Sequence, residues 1–170
     1  MSKYFTKPNI KNALVAITAL LNFIILSFAT VSASHRSLTD GVEHYFANGF
    51  TLAFSECPPV CDGMKNWLAY YSRFHFFFSL AVILGLAAVA LIKKKFHFGG
   101  YGLAAVIISV VTSLIYMING IVANVIASDY ASLYYEHYTL APLGFALVAL
   151  SAIALFFVEL YMPEEDTERV

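Results

Sequence analysis

Four long apolar runs, residues 13–33, 74–92, 103–127 and 140–161, constrain this chain more than any other feature. None contains a Lys or Arg, and the only acid among them is Glu159, near the end of the last. A helix needs about 20 apolar residues to cross the hydrocarbon core of a bilayer. A soluble helix is rarely apolar on every face for that length, because one face meets water. The expected fold class is therefore an all-α membrane protein, a bundle of four transmembrane helices forming one domain over residues 1–170. Composition agrees: 60% of residues are hydrophobic and 12% charged, with mean hydropathy +0.73, whereas soluble domains are about a quarter charged.

The placement of basic residues orients the bundle. Lys3, Lys7 and Lys11 precede the first run, and Lys93, Lys94 and Lys95 follow the second. The segments after the first and third runs carry Arg36, Lys65 and Arg73 against Asp40, Glu43, Glu56, Asp62, Asp129 and Glu136. Cytoplasmic loops are enriched in Lys and Arg, so both termini and the hairpin at residues 93–102 are expected inside. The large loop 34–73 and the short loop 128–139 then face outward. The start, with lysines, an apolar stretch and Val31-Ser32-Ala33, resembles a secretory signal. Its apolar stretch is longer than a usual signal core, so it is read as a retained first span.

Short loops make spans two and three, and spans three and four, antiparallel neighbours. The third helical pattern continues from Gly102 to about Tyr130, long enough to tilt or to project beyond the bilayer. Pro163 ends the fourth. Helices associate in lipid by close packing, so small residues mark contact faces. Ala81 and Gly85 form one such pair, Ala105, Ser109 and Ser113 a ladder, and Gly144 with Val148 a third face. These are expected to serve packing inside the bundle, with a neighbouring protomer as the other use. Replacing Gly85 with Leu is expected to disturb packing or assembly.

Polar residues within the runs are few: Asn22, Asn119, Asn124 and Glu159. Unpaired polar groups are costly in hydrocarbon, so each is expected to face a partner. Asn22, near mid-membrane, and Asn119 suit interhelical hydrogen bonds, and Glu159 suits an ion pair with one of Lys93–Lys95. Nothing resembles the buried ion pairs of a proton-coupled transporter. Trp67, Tyr70, Tyr71 and Phe74, with Tyr130, Tyr134, Tyr135 and Tyr138, suit interfacial anchoring.

Cys57 and Cys61 are the only cysteines, both in the large outer loop. In an oxidising compartment a structural disulfide is the default, closing a tiny loop and shaping it rather than holding the fold. A redox role would call for Cys-x-x-Cys spacing and a second pair, where this chain has Cys-x-x-x-Cys alone. His35, His75 and His137 fall at the outer ends of three spans, where they could converge on a metal or haem. Interfacial histidines with access to water are the plainer expectation. The glycines of Gly99-Gly100-Tyr101-Gly102 form a turn, not a phosphate loop. The C-terminal Thr167-Glu168-Arg169-Val170 hints at carboxylate capture, without the Ser or Thr two places before the end.

Gly49-Phe50 upstream of Cys57, Arg73 just before span two, and Tyr135-Glu136 leading into Leu143-Gly144-Phe145-Ala146-Leu147 complete a recognisable layout. With two cysteines in a large first outer loop, the chain resembles the claudin and peripheral-myelin-protein superfamily of four-span proteins. It departs from that pattern in its closely spaced cysteines and in carrying its one Trp at position 67. The loop of that family is a small sheet, for which residues 34–73 are short; the resemblance implies a non-enzymatic role in membrane organisation, cell contact or as an accessory subunit. Expected partners are the lipid bilayer and other membrane proteins or further copies of the chain, through helix faces and the first outer loop. Nucleic acid and cofactors are not expected, and the plasma membrane is the expected location. The rival reading is a redox or haem- or metal-binding membrane protein using the outer histidines or the cysteine pair.

Overall fold

The structure, a computed structural model, describes residues 6–37, 41–54, 65–93, 98–130 and 135–162. Four helices are long and apolar enough to cross a membrane: α1 (Lys7–Ile24), α3 (Lys65–Lys93), α4 (Gly100–Tyr130) and α5 (Ala141–Tyr161). Between α1 and α3 lie strands β1 (Ala29–Ser37) and β2 (Gly41–Asn48) and the short helix α2 (Gly49–Phe54). Strand β3 (Tyr135–Tyr138) precedes α5. The protein is an integral membrane protein built on a four-helix bundle.

Helix ends follow local chemistry. Pro8 and Pro142 sit in the first turns of α1 and α5, where a missing N–H leaves no helical bond unmade. Met162 turns extended, as a residue before proline prefers, and α5 ends at Tyr161. The Asn48 side chain accepts hydrogen bonds from the Thr51 N–H and hydroxyl at 2.9 and 3.0 Å, capping α2.

Span one differs from its expected bounds at both ends. It starts at Lys7, where Pro8 suits the first turn and the Lys7 and Lys11 side chains find partners on Glu159 of α5. It stops at Ile24, a 3₁₀ turn over Ile25–Ser27 follows, and residues 29–33 enter β1. These residues are apolar or small, but β2 and β3 offer them backbone partners that a helix does not need. Span two is longer than 74–92 because the aromatic stretch from Trp67 continues the same helix. Spans three and four match closely.

The sheet is the largest addition to the all-α expectation. β1 lies between β2 and β3, antiparallel to both. It pairs with β2 from Ala29↔Asn48 to Ser37↔Gly41, with an irregularity between Ala29 and Val31. On its other edge Ser32 pairs with Tyr138 and His35 with Tyr135. The two loops at this end of the bundle are thereby stitched into one structure.

α1 and α4 touch each other and both flanking helices, while α3 and α5 share no extended contact. The expected neighbours α3/α4 and α4/α5 do pack together. Val15, Ala19, Leu86, Phe98, Ala105 and Val106 form the core toward the terminal end. Ile25, Leu26, Tyr116 and Ala141 form it under the sheet. Phe77, Leu84, Leu150 and Leu160 face outward, as lipid-facing positions do.

Candidate functional site

A column of polar side chains runs through this apolar bundle, and every spanning helix contributes to it. Asn22 of α1 is fully buried; its amide donates to the Thr112 hydroxyl of α4 at 3.1 Å, and Thr112 donates to the Ile108 carbonyl at 2.8 Å. His75 of α3, also buried, places Nε2 2.8 Å from the Asn22 backbone carbonyl, a contact that requires the proton on that nitrogen. The His75 ring lies 4.8 Å from that of Tyr116, whose hydroxyl meets Thr30 Oγ1 at 2.5 Å. Ser79 donates to the His75 carbonyl at 2.8 Å. Lower in the bundle the hydroxyls of Thr18 on α1 and Ser151 on α5 meet at 2.9 Å. Ser109 is buried within the column, and its hydroxyl has no hydrogen-bond partner among the described residues.

The column is rich in hydroxyls, amides and backbone carbonyls; among the described residues it holds no carboxylate, thiol, Lys or Arg. Its pairings cross between helices and fix their relative register, the role that polar groups commonly take in lipid. Beside it, Tyr71, Phe74, His75, Thr112, Ile115, Tyr116 and Asn119 enclose about 10 Å³, near the lower limit for one water.

Several sequence expectations resolve here. Asn22 makes the expected interhelical bond, though toward the sheet end rather than at mid-membrane, because α1 begins earlier. Asn119 does not: its amide donates to the Ile115 carbonyl of its own helix at 2.8 Å. Ala105, Ser109 and Ser113 are buried on α4, and Gly144 and Val148 on α5. A Cβ at Gly144 would collide with Ile25 and Phe28, so the glycine permits this close approach. His75 was expected at the interface with access to water; α3 begins at Lys65, which carries it inside the bundle and onto Asn22.

Ala81 and Gly85 are the exception among the small-residue faces. Both are exposed, and a Cβ at Gly85 would meet nothing within 4 Å. Gly85→Leu is therefore expected to leave the melting temperature of the isolated chain essentially unchanged, within about 0.5 kcal/mol. A lowered melting temperature would contradict this placement, whereas a changed oligomer size would make this face an interface.

At the terminal end, Glu159 ion-pairs with Lys11, and Lys7 Nζ donates to the Glu159 carbonyl at 3.0 Å. The acid thus meets α1, which carries its lysines within the helix and packs along α5; Lys94, Lys95 and the side chain of Lys93, the partners expected from sequence, lie outside the described residues. Cys57 and Cys61, and the side chains of His35, His137 and Asn124, lie outside the described residues. The β-strand register sets His35 opposite Glu43 on one edge and Tyr135 on the other, and His137 opposite Ala33.

The sequence reading passed over Thr18, Thr30, Thr112, Tyr116 and Ser151. The available signal was spacing: Ser109, Thr112, Ser113 and Tyr116 recur at helical intervals on one face, and Thr18 lies one turn before Asn22. No family model, no curated protein and no solved structure matches the chain.

Proposed function

We propose that this is a non-enzymatic tetraspan protein that organises a membrane assembly, either as an accessory subunit or through contact with a neighbouring protein. The observation that carries this reading is the three-stranded sheet. β1 leaves α1, β2 belongs to the same loop, and β3 comes from the loop before α5. Two loops distant in sequence therefore present one surface, which meets the bundle where β1 and β3 contact α4. Arg73 of α3 supports the seat by donating from Nε to the Ala53 carbonyl of α2 at 2.6 Å. A small sheet in this position also suits the claudin-like layout.

In this reading the sheet end faces outward and the termini face the cytoplasm, in keeping with the Lys/Arg distribution. A Cys57–Cys61 disulfide would shape the recognition loop, and the plasma membrane is the compartment such a surface suits. The polar column holds the helices in register beneath it.

Purification in gentle detergent, with the particle mass read by native mass spectrometry, tests this. The expected result is a fixed-stoichiometry species larger than the 18.8 kDa chain. The double substitution Cys57→Ser/Cys61→Ser should weaken that species without lowering the melting temperature of the bundle. A lone 18.8 kDa species with a visible absorption band would contradict the proposal and favour haem chemistry.

A further inference from the structure

The terminal end of the bundle contains a cavity of about 740 Å³ between α1, the start of α4 and α5. That volume lies in the range of small-molecule sites, about 300–1,000 Å³. Its walls divide by chemistry. Val15, Leu103, Val106, Ala152, Leu155 and Phe156 make an apolar interior, while Lys7, Lys11, Asn12 and Glu159 stand toward the terminal end. From Ala152 to Glu159 the wall is about 10 Å deep at 1.5 Å per residue.

Among the described residues the charges at the mouth do not balance. Two ammonium groups face one carboxylate, and Lys11 takes that carboxylate. Lys7 is only 8% exposed; its Nζ donates to the Glu159 backbone carbonyl, and it shares the field of the Glu159 carboxylate with Lys11, so one carboxylate serves two ammonium groups. A buried ammonium in that position is costly unless an anion joins it. The first turn of α4 lines the cavity at Gly100 and Leu103 and contains no acidic residue, so the positive end of the helix adds to the potential there. A Cβ at Gly99 or Gly100 would meet nothing within 4 Å among the described residues. Asn12 fixes the turn against α1 by accepting from the Phe98 N–H at 3.2 Å.

We infer that this cavity binds one anionic phospholipid, its phosphodiester beside Lys7 and the start of α4, and the first part of an acyl chain along Leu103, Val106, Ala152 and Leu155. A phospholipid suits the site because the cavity opens at the end of membrane-spanning helices, where head groups meet acyl chains. The inference rests on the four spans and not on the proposed partner surface.

Native mass spectrometry of the delipidated full chain, titrated with dioleoyl phosphatidylglycerol, dioleoyl phosphatidylcholine or oleate, tests it. Phosphatidylglycerol should bind one per chain, about tenfold or more tighter than phosphatidylcholine, as a charge-assisted contact implies. Lys7→Gln should abolish that preference and Lys7→Arg should keep it. Ala152→Phe, which fills the apolar interior without touching the lysines, should reduce binding of both phospholipids; it decides the matter if Lys7→Gln fails to fold. Equal affinity for the two phospholipids, or unchanged binding by Ala152→Phe, would overturn the inference. Oleate binding as tightly as phosphatidylglycerol would overturn the phospholipid assignment in favour of a free fatty acid.

Discussion

A Gly49→Val variant is expected to lose most of its folded population in mild detergent. Gly49 begins α2 directly beneath the sheet, and a Cβ there would press on the Tyr116 hydroxyl and lie 2.5 Å from Leu26 Cδ2 and 3.1 Å from Leu26 Cα. The last of these is backbone and cannot rotate away. Leu26 is fully buried, so the turn after α1 would have to move. Displacing the Tyr116 hydroxyl would also break its bond to Thr30. Overpacking of this kind typically costs about 1–3 kcal/mol, and the backbone contact with a lost hydrogen bond puts this case at about 3 kcal/mol or more. A thermal melt followed by tryptophan fluorescence would check it, with Gly85→Ala as the control in open space. An unchanged melting temperature would mean that α2 is not seated as described.

The second large effect is expected at the centre of the polar column. Asn22→Ala removes a fully buried side chain and its bond to Thr112, and leaves a void between α1 and α4. Interhelical hydrogen bonds in membranes average about 0.6 kcal/mol and reach about 1.7. With the packing loss added, the variant should be destabilised by about 2 kcal/mol. Thr112→Val should cost about 1 kcal/mol, and the double variant less than the sum, by roughly the energy of the shared bond. Strict additivity in that cycle would show that the two side chains do not interact. His75 should keep its contact in each variant, because it addresses the Asn22 backbone rather than the side chain.

Much of the bundle was legible because hydropathy acts over whole helices. The fourth span, read over residues 140–161 with Pro163 ending it, matches α5 closely. The end of the first span was not legible, for a physical reason. Residues 29–33, Ala-Thr-Val-Ser-Ala, are apolar or small like the helix before them, and their strand conformation depends on partners from residues 41–48 and 135–138. Such long-range pairing leaves no local trace. The small-residue faces were half legible. Spacing located the Ala105–Ser109–Ser113 ladder, but the same spacing at Ala81 and Gly85 could not say which way α3 is turned. The polar column was legible at Asn22 and hidden at His75, since a histidine near the expected start of a span looks interfacial until the helix is seen to begin at Lys65. Lys7 and Lys11 were read as flanking charges. Their place inside α1, against Glu159 and the cavity, follows from the packing of α1 on α5.

The most direct test of the whole account is topology. The chain contains no natural Asn-x-Ser/Thr acceptor, so single acceptor sites can be introduced at residue 39, residue 132, residue 96 and beyond residue 170, and the variants translated with microsomes. Four crossings with the sheet end outward predict glycan addition at 39 and at 132, from the two loops that join the sheet, and none at 96 or at the C-terminus. Modification at 96 or at the C-terminus, or protection of either 39 or 132, would contradict it.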